Sequence, residues 1–201
     1  MATVLALSGS PSRTSRTALL AEHTAAGLRA LGHRTHVLAL RDLPAAPLLT
    51  ADTHDASFAR AVSLVAEADA LVVATPIHKA AYSGLLKTFL DLLPQHAFAG
   101  KPVLPLATGG SPAHVLALDH TLRPVLTALG AQVAQGRFVL DRPWATTPDG
   151  AMASTTTTSG NWPASPTSSP ALSRRPAPGR TRRGVPRAPD RRLTTTDRPA
   201  R

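Results

Sequence analysis

The chain has 201 residues, no cysteine, and a formal net charge of +10 from 22 Lys and Arg against 12 Asp and Glu. That length suits one domain with a sizeable core plus extras rather than two ordinary domains, and the lack of cysteine excludes disulfide frameworks, thiolate zinc sites and thiol catalysis. The charge is uneven: residues 1–146 carry 12 basic and 9 acidic side chains, whereas residues 147–201 carry 10 Arg against 3 Asp, so most of the excess belongs to the C-terminal quarter. No apolar run approaches the ~20 residues that span a bilayer, and the first residues carry neither a basic n-region nor a cleavage site. A cytoplasmic protein without a membrane role is the expectation.

Taken in chain order, short apolar runs alternate with longer amphipathic ones. Thr3 to Leu7 reads as a first strand, and residues 15–31 as a first helix with Leu19, Leu20, Ala26 and Leu28 near helical spacing and Gly32 as its C-cap. A second strand follows at Thr35 to Leu40, then a helix over 54–67. The third strand, Ala70 to Thr75 (ALVVAT), is apolar on both faces, as a central strand covered on each side must be. The next helix, 83–92, places Leu86, Phe89, Leu90 and Leu93 together, pairs Lys87 with Asp91 at i,i+4, and stops at Pro94. Val103 to Thr108, a helix over 114–129, and Gln132 to Leu140 complete the alternation. Five strands at this spacing predict an α/β chain with a flavodoxin-like, doubly wound, five-stranded parallel sheet, its ligand site at the strand carboxyl ends near the order reversal.

From about Pro143 the composition shifts to Pro, Thr, Ser, Ala and Arg without periodicity. The expected organisation is a domain over 1–142 and a disordered tail over 143–201, because such a segment buries too little surface to offset its ordering entropy. The last helix that this sheet calls for is not legible in the tail. The tail's arginines lack aromatic interleaving and groove-reading motifs, so no specific nucleic-acid partner is expected.

Three loops follow strand carboxyl ends. The first, SGSPSRTSRT, lies between the first strand and first helix, where backbone N–H groups and the helix dipole favour an anion. It lacks the Gly-Lys-Ser/Thr of a Walker loop and the G-x-G-x-x-G of a dinucleotide fold. Hydroxyls of Ser8, Ser10, Ser12, Ser15 and Thr17, with Arg16 beside them, suit one terminal phosphate held without Mg2+, and FMN is a natural candidate. Ser10 or Ser15 as a simple N-cap explains the same residues, and the loop alone leaves both readings open. The second loop begins ATPIHKAAYSG, where Pro76 stiffens the turn leaving the strand and Gly84 permits close approach of a flat ligand. The third, ATGGSPAH, opens backbone amides at Gly109 and Gly110.

These segments, with DALVVATPIHKAAYSGLLKTFLDLLP and GKPVLPLATGGSPAHVLALDHTLRPVLTALGA, resemble the NAD(P)H-dependent FMN reductase family over about residues 3–140, and within it the branch that supplies reduced flavin to alkanesulfonate monooxygenases. The resemblance implies FMN and NAD(P)H as cofactors, with the FMN phosphate at Ser8, Ser10, Ser15, Arg16 and Thr17. The isoalloxazine would lie against Pro76, Ile77, His78 and Lys79 on one side and Thr108, Gly109 and Gly110 on the other. Nicotinamide would stack on the exposed ring face, so little protein acid–base chemistry is required, and Lys79 with nearby amides would stabilise anionic reduced flavin. The eight histidines form no H-E-x-x-H or comparable ligand cluster, so no metal is expected. It further implies an FMN-dependent monooxygenase as flavin acceptor and a homodimer or homotetramer.

The chain departs from the family at His78 and His120, where Tyr is common, and in the tail, which a reading-frame shift near residue 143 in a GC-rich gene would produce. Arg13 is a candidate for a nicotinamide 2'-phosphate. The enzyme alternative is a quinone or azo reductase that retains FMN; the non-enzyme alternative is a flavodoxin-like electron carrier, against which the mildly basic domain argues.

Overall fold

The computed structural model describes residues 1–141, 144–146 and 152–154. In chain order its main elements are β1 (Thr3–Ser8), α1 (Arg16–Ala30), β2 (Arg34–Ala39), α2 (Ala45–Thr50), α3 (Ala56–Glu67), β3 (Ala70–His78), β4 (Ala81–Tyr82), α4 (Gly84–Asp91), β5 (Pro102–Gly109), α5 (Arg123–Ala128), β6 (Gln132–Val133) and β7 (Arg137–Leu140). The strands form one sheet in the order β2-β1-β3-β5, with β6 and β7 both on the outer side of β5. All of these pairings are parallel; the short β4 folds back antiparallel on the end of β3. The expected flavodoxin-like doubly wound sheet is therefore present. The chain leaves β1 for β2 on one side and returns as β3 on the other, so the order reverses between β1 and β3 and opens a crevice at their carboxyl ends.

The alternation of side chains divides the core in two. Leu5, Leu7, Leu71, Val73 and Val103 point to one face and meet Phe58 and Val65 of α3, Leu86, Phe89 and Leu90 of α4, and Leu122 and Leu126. Phe58 and Phe89 meet edge to face, with ring centroids 5.9 Å apart, and tie α3 to α4. Val4, Ala6, Val72, Ala74, Leu104 and Leu106 point to the other face, where α1 contributes Leu20, Ala21, Ala25 and Leu28. Among the described residues α1 is the one helix on that face, and no helix follows β7.

Three sequence expectations need correction. The buried stripe of α1 is Thr17, Leu20, Ala21, Thr24, Ala25 and Leu28: the helix begins one residue later than the spacing suggested, and of the four expected positions Leu20 and Leu28 face the core whereas Leu19 and Ala26 are exposed. The expected helix over 114–129 divides into a 3-10 turn (Pro112–Val115), a π-helical turn (Leu118–Leu122) and α5. Pro124 has no N–H and cannot continue an i→i−4 ladder, which fits a change of register there.

The strand expected over Gln132 to Leu140 is broken into β6 and β7 opposite Pro105 of β5. A Cβ at Gly136 would stand 3.1 Å from Pro105 Cγ, so the pyrrolidine ring displaces the neighbouring chain and glycine lets it pass. Trp144–Thr146 pairs antiparallel with Met152–Ser154. The expected disorder of the rest of 143–201 lies outside the described residues. No helix among the described residues is long and apolar enough to cross a membrane.

Candidate functional site

The crevice is built by the three loops that the sequence singled out. Gly9 leaves β1 with its N–H donating to Ala74 O of β3 at 2.8 Å, which fastens the first loop to the neighbouring strand. A Cβ on Gly9 would lie 2.7 Å from Leu86 Cβ and 3.1 Å from Ser83 Oγ, so the loop sits against the start of α4 at a distance only glycine allows. Ser83 completes the joint. Its Oγ donates to Gly9 O at 2.5 Å and accepts from Leu86 N at 3.1 Å as the N-cap of α4, while its own N–H donates to Thr75 Oγ1 at 3.0 Å. One buried serine, through its hydroxyl and its backbone N–H, thereby links the end of β1, β3 and α4. The sequence reading missed Ser83; its position as a serine three residues before an apolar helical residue was the available signal.

The first loop then turns into α1. Ser15 is the N-cap, accepting from Ala18 N at 3.0 Å, and Ser10 Oγ accepts from Ser12 N at 3.3 Å. Both serines thus have structural tasks, yet they border a helix start whose first amides, on Arg16 and Thr17, have no acceptor among the described residues. Thr17 and Thr108, 91 positions apart, share a hydroxyl–hydroxyl bond of 2.6 Å and join the first loop to the third. Ser8 does not reach the open side: it is fully buried, and its Oγ has no partner among the described residues.

The second loop differs from its expected form. Pro76 lies inside β3, still paired with Thr108, and the turn falls three residues later, at Lys79 and Ala80. These two residues have φ of 51° and 62° between the paired His78 and Ala81, a two-residue hairpin of the kind that normally takes Asn-Gly. Left-handed backbone at a residue bearing a Cβ costs roughly 1–2 kcal/mol, so the surrounding sheet and helix hold this tip in place. His78 and Lys79 are exposed on it, Pro76 is half-buried, and Ile77 turns into the core with α4. The Ile77 side chain is therefore not exposed at the tip. Tyr82 packs beside the same core, and burial raises its phenol pKa more than the Lys87 ammonium lowers it, with Asp91 adding to the rise. It stays protonated through the neutral range.

At the third loop, Gly109 is buried and Gly110 exposed. A Cβ on Gly109 would meet His114 Nδ1 at 2.9 Å and the Phe138 ring at 3.1 Å, so packing demands this glycine; positions 84 and 110 have nothing within 4 Å of where a Cβ would stand. His114 Nδ1 is buried without a partner among the described residues, as is Nδ1 of the half-buried His33.

Two further contacts had no sequence signal because they join distant positions. Arg41, just beyond β2, donates from Nη1 to Ser12 O at 2.8 Å and steadies the first loop from outside. Arg16 pairs with the Asp141 carboxylate and also donates to Asp141 O at 3.3 Å, while Asp141 N donates to Gly109 O at 2.8 Å. A separate recess of about 470 Å3, between Leu38, Leu43 and Leu64 at the sheet edge, shares no residue with these loops.

The resulting cradle offers hydroxyls and helix-start amides for an anion at one end, exposed Gly110 and the hairpin tip at the other, and no carboxylate within the first loop. That donor set fits a phosphomonoester bound without a metal ion. A family model for NADPH-dependent FMN reductase matches residues 2–145, which includes all three loops.

The chain belongs to the NADPH-dependent FMN reductase family.

An FMN reductase (NADPH) of Pseudomonas putida is 48% identical over 139 residues, covering 69% of this chain and 71% of the relative. One of the same description from Escherichia coli K12 is 45% identical over 139 residues, covering 69% and 73%. Among solved structures, the apo form of an NADH:FMN oxidoreductase, EMOB, aligns with a TM-score of 0.68 at 51% identity, covering 70% of this chain and 76% of that one. As a member of this family the chain is an NAD(P)H-dependent FMN oxidoreductase. Its cofactors are FMN and NAD(P)H. When bound, the flavin takes hydride from the nicotinamide and holds the electron pair for an acceptor. What the protein contributes is placement: a fixed helix start, a buried joint at Ser83, and a glycine-lined open side.

Proposed function

We propose that this FMN reductase seats the flavin phosphate against the first loop, at Ser10, Ser15, Thr17 and Arg16, with Ser8 supporting the loop from beneath. The isoalloxazine then lies between the hairpin tip at Pro76, Ile77, His78 and Lys79 and the third loop at Thr108, Gly109 and Gly110. The observation that carries this reading is the convergence of those loops on one crevice at the sheet's order reversal, cross-tied by the Thr17–Thr108 hydroxyl pair. The open side above Gly110 leaves a ring face for nicotinamide, so hydride transfer needs alignment of two ligands and no protein acid or base.

We further propose that reduced FMN leaves for an FMN-dependent monooxygenase, with alkanesulfonate desulfonation as the reaction supplied, that the enzyme works in the cytoplasm as a homodimer or homotetramer, and that residues 1–142 form the catalytic domain with 143–201 as a tail. Support for these assignments comes from the sequence resemblance and from the tail's composition. A coupled assay tests the central part. Sulfite release by an FMN-dependent alkanesulfonate monooxygenase should require this enzyme, NAD(P)H and free FMN together. FMN that co-elutes with the chain in gel filtration, with quinone reduction undiminished when no free flavin is added, would establish the quinone reductase reading instead.

A further inference from the structure

The first loop contains no acid, yet the fold delivers one to its edge. Arg16 is the first residue of α1, directly after the Ser15 cap, so its guanidinium is a cation on the helix turn that an anion would approach. It is already engaged: Nη1 pairs with the Asp141 carboxylate and donates to Asp141 O at 3.3 Å. Asp141 stands immediately after β7 and is tethered by its own N–H to Gly109 O at 2.8 Å, in the third loop. The carboxylate is therefore held at the crevice by backbone, independently of the pair that it makes. Both side chains are partly open, 44% for Arg16 and 40% for Asp141, so the pair is accessible to a competing anion rather than sealed in the core.

A phosphomonoester dianion arriving at this helix start meets an arginine whose charge is already balanced. It must displace the carboxylate or accept its repulsion, and either outcome subtracts from its affinity. We propose that Asp141 is a built-in counter-ion for Arg16 that competes with the flavin phosphate and thereby holds FMN affinity in the range of an exchanging substrate rather than a permanent prosthetic group. This inference rests on the placement of the phosphate against the first loop. It assigns to Asp141 a positioning role exerted through Arg16, with no contact to the reacting ring.

The test measures dissociation constants of FMN and riboflavin for the full chain by quenching of flavin fluorescence, at low and high salt, in the native enzyme and in Asp141→Asn. The amide keeps the backbone N–H tether and the side-chain volume but loses the charge. FMN binding should tighten by about two- to fivefold, the size expected for a partly screened surface ion pair. The gain should shrink at high salt, and riboflavin should change by less than twofold. In an Arg16→Ala background the same substitution should change FMN binding by less than twofold.

A native enzyme that binds FMN and riboflavin equally would sink the phosphate placement itself, and this inference with it. If the native enzyme prefers FMN and Asp141→Asn leaves that preference unchanged, only the counter-ion role fails. Equal loss of both ligands in the variant would mark Asp141 as a purely structural residue, and a full gain that persists without Arg16 would show the carboxylate acting on phosphate directly; each overturns the competition.

Discussion

The inner wall of the crevice and its outer rim are built on opposite principles. At the wall, Gly9, Thr75, Ser83 and Leu86 are buried, their polar atoms are paired at 2.5–3.1 Å, and there is no room for another carbon atom. At the rim, Lys79 and Ala80 are exposed in left-handed backbone, and Gly84 and Gly110 face open space. The wall fixes where the helix-start donors point; the rim carries strain that the rest of the fold tolerates. Substitution should therefore be costly at the wall and tolerated, or even favourable, at the rim.

The largest effect is expected for Gly9→Ala. The new methyl lands 2.7 Å from Leu86 Cβ, an atom tied to the α4 backbone, so the loop and the helix must part. Overpacking of this kind costs about 1–3 kcal/mol, and denaturant unfolding together with an FMN titration should show lost stability and weakened binding together. Full retention of both would mean that the wall is not tightly set.

Ser83→Ala comes next. It removes the α4 N-cap and leaves Gly9 O without its donor, for a loss of about 1–2 kcal/mol at constant volume. Here the midpoint of chemical unfolding should fall with little change in slope; an unchanged midpoint would reduce the joint to a coincidence of packing.

The smallest effect, and of opposite sign, is expected for Ala80→Gly. Relief of left-handed strain, less the extra chain entropy of glycine, should raise stability by up to about 1 kcal/mol. A clear drop in melting temperature would show that the tip is not strained and would erase the contrast between wall and rim.

Much of this architecture is legible in the sequence because it depends on local pattern. ALVVAT could only be a covered strand, Leu86, Phe89 and Leu90 could only face a core, and the Lys87–Asp91 pair forms as the i,i+4 spacing indicates, with Nζ 2.5 Å from both carboxylate oxygens. The loops at the carboxyl ends follow from the topology. What sequence conceals is long-range: Ser83 with Gly9, Thr17 with Thr108, and Arg16 with Asp141 are separated by 74, 91 and 125 positions, and no local signal announces such bonds. The turn after β3 was misplaced for a physical reason as well. Proline suggests a strand end, but Pro76 pairs with Thr108 as the ladder continues, and it is the uncommon left-handed Lys79–Ala80 pair that reverses the chain. Similarly, the serines of the first loop read equally well as caps or as phosphate ligands, and Ser15 is demonstrably a cap while bordering helix-start amides that have no acceptor among the described residues.

The most direct test of the account is steady-state oxidation of NADH and NADPH by the full chain, titrated with FMN and, in parallel, with riboflavin. A reductase whose site is organised around a phosphate seat should show saturable, flavin-dependent turnover with kcat/KM at least about tenfold higher for FMN, since one lost charge-assisted contact is worth about that factor. Nicotinamide oxidation that does not rise above background with added FMN, or equal efficiency with the two flavins, would contradict it.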